Sequence, residues 1–252
     1  MADNLAVAHN PLEGQRPEMT INLHDGSEEQ ISIIVVHKDR PEYLNICLQS
    51  IAVTSLNNNY EIIVVDNGST LKDATDFLDD LEEQGECKVV RNKENLWWSK
   101  AANLGVKAAD KNSKYYIFLH ADVVVTNPAW IDLLINVSES QDSGMVGVEM
   151  HSYQMQGNKI DFIEEWCMLV TKQCWQDAGP WPEELPLIGA PFIFTLTAQM
   201  KNHKPQVIKN PIVHHYRIFG MDVNEFERFS EQAMVQIPAL LRNLQMRAQS
   251  LK

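Results

Sequence analysis

Short runs of β-branched residues alternate with stretches of helical spacing along the first half of the chain. The runs at Ile31–His37 and Tyr60–Val65 are bounded by polar or turn residues. This pattern is typical of strands buried on both faces of a parallel sheet. Between them, the apolar positions of Pro41–Val53 fall on one helical stripe, and a proline suits the first helical turn. The three segments predict a β-α-β unit.

The same alternation continues to about residue 137. The predicted elements are, in order, an acidic helix at Leu71–Glu83, a strand at Cys87–Arg91, an alanine-rich helix at Asn95–Asp110, a strand at Tyr115–Leu119 and a helix at Pro128–Val137. Repeated strands and helices of this kind indicate an α/β fold with an open, mostly parallel sheet flanked by helices.

The second half of the chain has a less regular pattern. It predicts strands at Met145–Met150, Trp166–Val170, Gln206–Ile208 and Ile212–His215, and helices at Lys172–Ala178 and Phe192–Lys201. Amphipathic helices follow at Val223–Met234 and Ala239–Gln249, with Pro238 expected to break or kink the chain between them. These helices either cover the sheet, form a homodimer contact, or attach to a membrane surface or a partner.

Composition supports a globular, water-soluble chain. The 252 residues are 44% hydrophobic and 22% charged, and a core of this size needs no disulfide or metal merely to fold. The cysteines have apolar neighbours and form no CxxC pair, so we expect free thiols in a reducing compartment. No apolar run approaches 18 residues and the N-terminus lacks a basic leader, which predicts a cytoplasmic protein without a signal peptide or membrane span.

Charge is divided unevenly along the chain. The net charge is −13, which opposes nonspecific binding to nucleic acid or anionic lipid. Residues 1–200 carry 13 basic and 30 acidic side chains, whereas residues 201–252 carry 8 basic and 4 acidic ones. The basic tail is either a solvated helix with a chance excess of charge or the place where an anion binds.

Three polar clusters follow predicted strands, at His37–Arg40, Asp66–Ser69 and His120–Asp122. In open parallel sheets, ligands bind at the carboxyl ends of the strands. A carboxylate at such a position accepts hydrogen bonds from a base or ribose, or ligates a metal; alternatively it caps a helix or forms a turn.

The sequence around these clusters resembles a known family. The segments ISIIVVHKDRPEYLNICLQSI, YEIIVVDNGST, NKENLWWSKAANLGVKAA and YYIFLHADVVVTNPAWIDLL are similar, in order and spacing, to the nucleotide-binding half of a family-2 glycosyltransferase of the GT-A fold. Trp166–Asp177 resembles the acceptor-side segment of that family, and Pro211–His215 resembles its late histidine strand.

The resemblance implies a division of the chain. Residues 30–220 would form one Rossmann-like GT-A domain. Within that domain, residues 30–135 bind the nucleotide sugar and residues 136–220 form the acceptor half. Residues 221–252 form the C-terminal helical segment. Residues 1–29 are polar and lack steady periodicity, which by itself predicts a mobile lead-in with a short strand at Met19–Leu23.

The resemblance also implies a nucleotide-sugar site. Asp66 would bind the base, the backbone near Val36 and His37 would hold base and ribose, and Lys100 would reach the diphosphate. The full implied set is Val36, His37, Asp39, Asp66, Asn67, Asn95, Trp98, Lys100, Asn103 and Ala121. Trp97 or Trp98 is the favoured aromatic contact to the ligand.

A divalent cation, Mn²⁺ or Mg²⁺, is implied as well. Asp122 matches the last aspartate of the family's DxD metal motif, and His214 matches a late histidine that completes the metal site in several relatives. His120 stands where the first aspartate is usual, so it is either a further ligand or a strand-end residue bonded to the backbone.

The general base of the family has no obvious counterpart. The family carries an acidic pair at the start of a helix after a glycine-rich loop, but here the segment 187–194 contains no carboxylate. Glu165 and Glu164 are the best replacements, although they also suit a solvent-facing acidic turn. Asp161, Glu183 and Glu184 are weaker candidates.

These features predict a metal-assisted, inverting hexosyl- or pentosyltransferase that uses a nucleotide-diphosphate sugar and an acceptor hydroxyl on a saccharide, lipid, protein or nucleic-acid base. The missing acidic pair favours an alternative, a nucleotide-sugar-binding protein with impaired catalysis. A third hypothesis, suggested by the basic tail, is that the acceptor is a modified nucleic-acid base.

Overall fold

The computed structural model describes residues 30–56, 58–155, 158–209, 211–217 and 223–250. The strands are β1 (Ile31–His37), β2 (Tyr60–Asp66), β3 (Lys88–Arg91), β4 (Tyr115–His120), β5 (Val123–Val125), β6 (Met145–Gly147), β7 (Met150–Met155), β8 (Asn158–Ile163), β9 (Cys167–Thr171), β10 (Pro205–Val207) and β11 (Val213–His215). The helices are α1 (Pro41–Thr54), α2 (Lys72–Gln84), α3 (Trp97–Ala108), α4 (Trp130–Ser140), α5 (Lys172–Ala178), α6 (Ala190–Met200) and α7 (Val223–Ser250). The expected lead-in at residues 1–29, with its strand at Met19–Leu23, lies outside the described residues.

A seven-stranded sheet, in the order β10-β6-β9-β4-β1-β2-β3, forms the centre of the molecule. Strand β1 runs parallel to β2 and β4, and β9 runs antiparallel to both β4 and β6. The predicted open, mostly parallel α/β architecture is therefore confirmed. The register pairs His37 with Asp66 and Val36 with His120, so all three polar clusters lie at one edge of the sheet.

Alternation along the central strands divides the core into two layers. Ile33 and Val35 of β1 pack with the buried faces of α1 and α4, whereas Ile34 packs with α3, α5 and α6. Helix α3 lies especially close to the sheet at Gly105, where a Cβ atom would come within 2.4 Å of Ile34 Cγ2. This close approach fixes the start of α3, and with it Trp97 and Trp98.

The C-terminal segment is one helix, so the chain does not break at Pro238, and the kink expected there as the alternative stays a prediction. A proline inside a helix removes one backbone hydrogen bond, but α7 continues through it. Ala233 is buried, and Ile237, Leu240 and Leu241 are partly buried against the same core layer as α6. Packing on both sides of the proline offsets the lost bond.

Two pairings were not predicted. Strands β7 and β8 form an antiparallel hairpin, and the expected strand at Met145–Met150 is divided between β6 and β7. Strands β5 and β11 form a separate two-stranded sheet. Both pairings lie beside the sheet edge that carries the polar clusters.

The four cysteines are free, as expected, and Cys87 is the one that is only partly buried. In the part of the chain that the structure describes, no helix combines the length and apolarity that crossing a membrane requires.

Candidate functional site

A cavity of about 1280 Å³ lies at the carboxyl ends of β1 and β4. One side is polar and is formed by the ends of those strands, the loop before α3 and residues near β11. The other side is formed by the β7–β8 hairpin, the loop before α6 and one face of α7. Of the residues expected at a nucleotide sugar, the cavity wall includes Val36, His37, Asp39, Asn67, Asn95, Trp98 and Ala121.

His120, Asp122 and His215 form a cluster on the polar side. One potential metal-ligating atom from each lies within 4.8 Å of the others. His215 Nε2 is 3.2 Å from Asp122 Oδ1. The pairing of β11 with β5 brings these residues together, and Tyr216 N donates to the backbone oxygen of Asp122 at 3.0 Å.

His215, rather than His214, occupies the position expected for the late histidine. Successive side chains of a strand point to opposite faces, and His214 is exposed with its ring against Tyr216 at 5.0 Å. Because adjacent side chains of a strand point to opposite faces, the sequence predicts that only one of the two histidines faces the site, but it does not say which one.

Neighbouring side chains hold both imidazoles in place. The Trp166 ring stacks on His215 at 4.6 Å, and His120 Nε2 lies 3.5 Å from Glu165 Oε1. Among the described residues, His120 Nε2 and His215 Nδ1 are buried without a hydrogen-bond partner. Buried polar atoms are normally satisfied, so the cluster fits a divalent cation that orients or binds these rings.

His37 is the most deeply buried polar group on the nucleotide side. Its ring nitrogens lack hydrogen-bond partners among the described residues. Burial lowers the pKa of His37 to about 4, although the carboxylates of Asp66 and Asp39 act in the opposite direction. The ring is therefore neutral at pH 7 and offers one donor and one acceptor. In the part of the chain that the structure describes, the buried Trp98 Nε1 also lacks a hydrogen-bond partner, and its ring lies 4.7 Å from that of His120.

Two expected carboxylates shape the loops of the site. Asp39 Oδ1 accepts bonds from the backbone N–H groups of Thr70 and Leu71 at 2.6 and 2.8 Å. Burial raises the pKa of Asp39, but the hydrogen bonds from Leu71, Lys38 and Thr70 outweigh it and lower the value to about 2. Asp66 is 3% exposed, accepts from Ser69 N at 3.0 Å and is not part of the cavity lining.

Asn67 and Asn95 lie in the cavity wall and also fix the turn into α3. Asn67 Nδ2 donates to Asn95 Oδ1 at 2.7 Å, and Asn67 Oδ1 accepts from Leu96 N at 2.8 Å. Asn95 Oδ1 accepts from Trp97 N at 2.9 Å. The turn holds Trp97 in a left-handed backbone conformation with φ of 61°.

Lys100 and Asn103 do not reach the cavity. Lys100 is exposed, and Asn103 exchanges two hydrogen bonds with the backbone of Trp181, at 3.0 and 2.9 Å. The helix begins only at Trp97, so one turn later its side chains have passed beyond the cavity edge. Asn103 fixes the loop that follows α5.

The acidic pair Glu164 and Glu165 lies in the cavity wall. Glu165 is 7% exposed, and its buried Oε2 has no hydrogen-bond partner among the described residues. Burial and the neighbouring Glu165 carboxyl raise the pKa of Glu164 to about 8. His151 Nε2 lies 3.6 Å from Glu164 Oε1, so the expected solvent-facing acidic turn is not what the structure contains.

A charged network that sequence reasoning missed adjoins this pair. Glu149 accepts from Trp166 Nε1 at 2.9 Å and from Arg217 at 3.1 Å. Burial raises the pKa of Glu149, but these two donors outweigh it and hold the value below its usual range. The network joins the β7–β8 hairpin to the end of β11 and brings a cation of the basic tail to the cavity.

Comparison with solved structures identifies the class of fold. The fold is similar to that of a mannosyltransferase from Pyrobaculum calidifontis in complex with GDP-Man and Mn²⁺ (TM-score 0.62, 12% identity, covering 77% of this chain and 59% of that chain). It is also similar to S. aureus TarS 1-349 in complex with UDP (TM-score 0.59, 16% identity, 82% of this chain and 65% of that chain). The architecture is therefore that of the GT-A glycosyltransferases.

The sequence comparison gives the family itself. The model described as Glycosyl transferase family 2 matches residues 32–197, and the chain belongs to this family.

Curated relatives share part of this region. An uncharacterized glycosyltransferase of Haemophilus influenzae is 31% identical over 116 residues, which cover 44% of this chain and 33% of that protein. The O-antigen biosynthesis protein RfbC of Myxococcus xanthus is 26% identical over 125 residues, which cover 48% of this chain and 9% of that protein. The similarity thus spans a third or less of either relative.

Proposed function

We propose that this protein transfers a sugar from a nucleotide-diphosphate sugar to an acceptor hydroxyl, with a divalent cation held by His120, Asp122 and His215. The observation that carries the proposal is the clustering of these three side chains in a cavity at the carboxyl ends of β1 and β4. Family membership and the fold support the same reaction class.

The three candidate metal ligands favour Mn²⁺ over Mg²⁺. Two imidazoles and one carboxylate suit a transition metal, whereas Mg²⁺ prefers oxygen ligands and keeps several waters. When bound, such a cation would neutralise charge on the leaving diphosphate. Glu165 and Trp166 position His120 and His215, respectively.

The nucleotide would lie along His37, Asn67, Asn95 and Trp98. Solved neighbours contain UDP and GDP-Man, so uridine and guanosine donors are the first to test. Asp66 supports this wall by holding the turn at Ser69. The unpaired nitrogens of His37 would gain partners from the bound nucleotide.

Glu164 and Glu165 are the proposed proton acceptors. The acceptor hydroxyl would lose its proton to one of these carboxylates while its oxygen bonds to the anomeric carbon, and the bond from that carbon to the diphosphate would break. Displacement from the opposite face inverts the configuration. A carboxyl with a pKa raised towards neutrality, as at Glu164, suits a general base near pH 7 to 8.

The alternative is a protein that binds the donor without turning it over. The segment 187–194, where the family carries its acidic pair, contains no carboxylate. This alternative shares the donor site, so only turnover separates the two functions.

The test combines a thermal-shift screen with a turnover assay. UDP-glucose, UDP-GlcNAc, GDP-mannose, CDP- and dTDP-sugars would be screened with and without Mn²⁺, followed by detection of transfer or slow donor hydrolysis. We expect at least one donor to raise the melting temperature with Mn²⁺, because binding to the native state stabilises it. Asp122→Ala should abolish that shift and reduce turnover about 10²-fold or more.

Asp76→Ala is the matched control, since Asp76 is exposed on α2, away from the cavity wall, and pairs with Lys72 at 2.5 Å. Binding without transfer or hydrolysis would establish the alternative. No shift with any donor would contradict both functions.

A further inference from the structure

An aromatic cluster lines the cavity opposite the nucleotide side. The Tyr153 and Phe162 rings of the β7–β8 hairpin lie 5.3 and 5.7 Å from the ring of Phe192 on α6. The three rings meet at angles of 62° and 86°, so their faces form a corner. Tyr153 is 54% exposed, which leaves the outer side of this corner accessible.

The surrounding wall is apolar as well. It includes Leu187, Ile188 and Pro191 before and at the start of α6, and Met234 and Ile237 of α7. A saccharide with many hydroxyls would find few hydrogen-bond partners against such side chains, and each unpaired polar group costs free energy. An apolar group would instead gain from removing its surface and that of the wall from water.

A series of direct contacts joins this cluster to the proposed metal ligands. The His215 ring stacks on Trp166, and Trp166 Nε1 donates to Glu149 at 2.9 Å. Glu149 Oε1 lies 3.2 Å from His151 Nε2, and the His151 ring lies 5.8 Å from that of Phe162.

Glu164 Oε1 lies 3.6 Å from the same His151 nitrogen and therefore adjoins this series of contacts. A molecule whose hydroxyl reaches Glu164 has His151 beside it, and the His151 ring in turn lies 5.8 Å from the ring of Phe162. The volume of about 1280 Å³ exceeds the range of about 300–1,000 Å³ that is usual for one small ligand. The cavity can thus hold a donor and a second molecule together.

We propose that the corner of Tyr153, Phe162 and Phe192 is an acceptor subsite for a molecule that carries an aromatic ring next to its reactive hydroxyl. This inference rests on the proposed transfer function and names the chemical class of its acceptor.

The test compares two acceptors that differ only in the ring. Binding of phenyl β-D-glucopyranoside and methyl β-D-glucopyranoside would be measured by saturation-transfer NMR and titration, with UDP or GDP and Mn²⁺ present. We expect the phenyl compound to bind about tenfold tighter or more, because burying a ring removes a large apolar area from water. Saturation should be transferred most strongly to the phenyl protons.

Variants locate the subsite. Tyr153→Ala, at an exposed position that tolerates truncation, should lower the phenyl-to-methyl affinity ratio about threefold or more, and Phe192→Leu should lower it further. Met246→Ala is the control, because Met246 is an exposed apolar side chain on α7 that is not part of the cavity lining. It should leave the ratio unchanged.

Equal affinity for the two glucosides, or a ratio that neither Tyr153→Ala nor Phe192→Leu alters, would overturn the inference. Failure of the proposed function would instead be seen in the separate screen of donors, which does not depend on the acceptor. The two failures are therefore distinguishable.

Discussion

His120 stands at the strand end where the resemblance to the family places an aspartate, and in the proposed metal site this exchange would replace an oxygen ligand by a nitrogen. The side chain lies in the cavity with Asp122 and His215. Imidazole ligands favour transition metals, whereas carboxylates suit Mg²⁺. In the proposed site, His120 would therefore affect which metal binds more than whether a metal binds.

For His120→Asp, we expect the preference for Mn²⁺ over Mg²⁺ to fall about tenfold, because a hard oxygen replaces a nitrogen donor. Isothermal titration and Mn²⁺ electron paramagnetic resonance measure this ratio without relying on turnover. His214→Asp introduces the same carboxylate on the exposed face of β11 and should leave the ratio unchanged. A ratio equal to that of the wild type in His120→Asp would contradict the assignment of His120 as a ligand.

The sequence located some residues of the site and missed others for geometrical reasons. His120 and Asp122 follow a buried strand directly, and their place at the sheet edge follows from topology. Predicting His215 requires knowing which face of a three-residue strand points into the cavity, and the sequence does not specify that face. Lys100 and Asn103 depended on where α3 begins relative to the cavity, because each residue advances about 1.5 Å along the helix axis.

At the scale of single elements, the docking of α3 determines where Trp97 and Trp98 lie. Gly105 allows this docking, since its missing Cβ leaves room for Ile34 of β1. Helix propensity alone favours alanine at this position by about 1 kcal/mol. A Cβ at 2.4 Å from a buried branched side chain opposes that gain.

We expect Gly105→Ala to destabilise the protein by about 1–3 kcal/mol, because overpacking against Ile34 outweighs the gain in helix propensity. Urea unfolding monitored by circular dichroism gives the free energy of unfolding. Lys107→Ala changes an exposed position on the same helix and should alter stability by less than about 0.5 kcal/mol. A Gly105→Ala variant as stable as the wild type would show that α3 moves away from the sheet at no cost.

The sequence predicts those helices and strands whose side chains are buried on one face or on both faces. Strands β1, β2 and β4 are continuous apolar runs, and α1 carries a clear stripe. The β7–β8 hairpin was missed because its strands mix polar and apolar residues, as in MHSYQM and NKIDFI, without a strict alternation. The sequence pattern divides α7 at Pro238 because local propensity does not include the packing of Ala233 and Leu240 on either side of the proline.

At the scale of the whole molecule, side chains from the acidic part of the chain, before residue 201, and from the basic tail meet at the cavity. The tail brings His215 and Arg217 to a wall that already contains Asp122 and Glu149. Arg228 of α7 lies over the Trp97 ring, with its guanidinium carbon 5.8 Å from the ring centre. The uneven charge along the sequence thus corresponds to acidic and basic side chains that come together in the cavity wall.

The raised pKa of Glu164 makes the stability of the whole fold depend on pH. The native state retains a proton at Glu164 up to a pKa of about 8, whereas the unfolded chain loses it near the usual value of 4.5. Stability from this group is therefore complete below pH 4.5 and declines as the pH rises to about 8. The full shift would correspond to about 5 kcal/mol, and because solvent screens this partly exposed group, we expect Glu164→Gln to remove a decline of only roughly 2 kcal/mol.

Urea titrations at intervals from pH 4.5 to pH 8 would measure the difference between Glu164→Gln and wild type. Glu227→Gln, at an exposed position of α7, serves as the control and should run parallel to wild type. A difference between Glu164→Gln and wild type that stays constant with pH would contradict the assigned burial of Glu164.

The pairing of β11 with β5 has a consequence for folding. His120 and Asp122 belong to the first half of the chain, whereas His215 follows about ninety residues later, so an ion shared among them would close a long loop in the covalent chain. If the ion stays bound to the unfolded chain, this closure restricts the unfolded ensemble. If the ion binds only the folded state, it stabilises that state by mass action. The cation would then link the end of β4 to β11, and its removal would loosen the two-stranded β5–β11 sheet before the seven-stranded sheet.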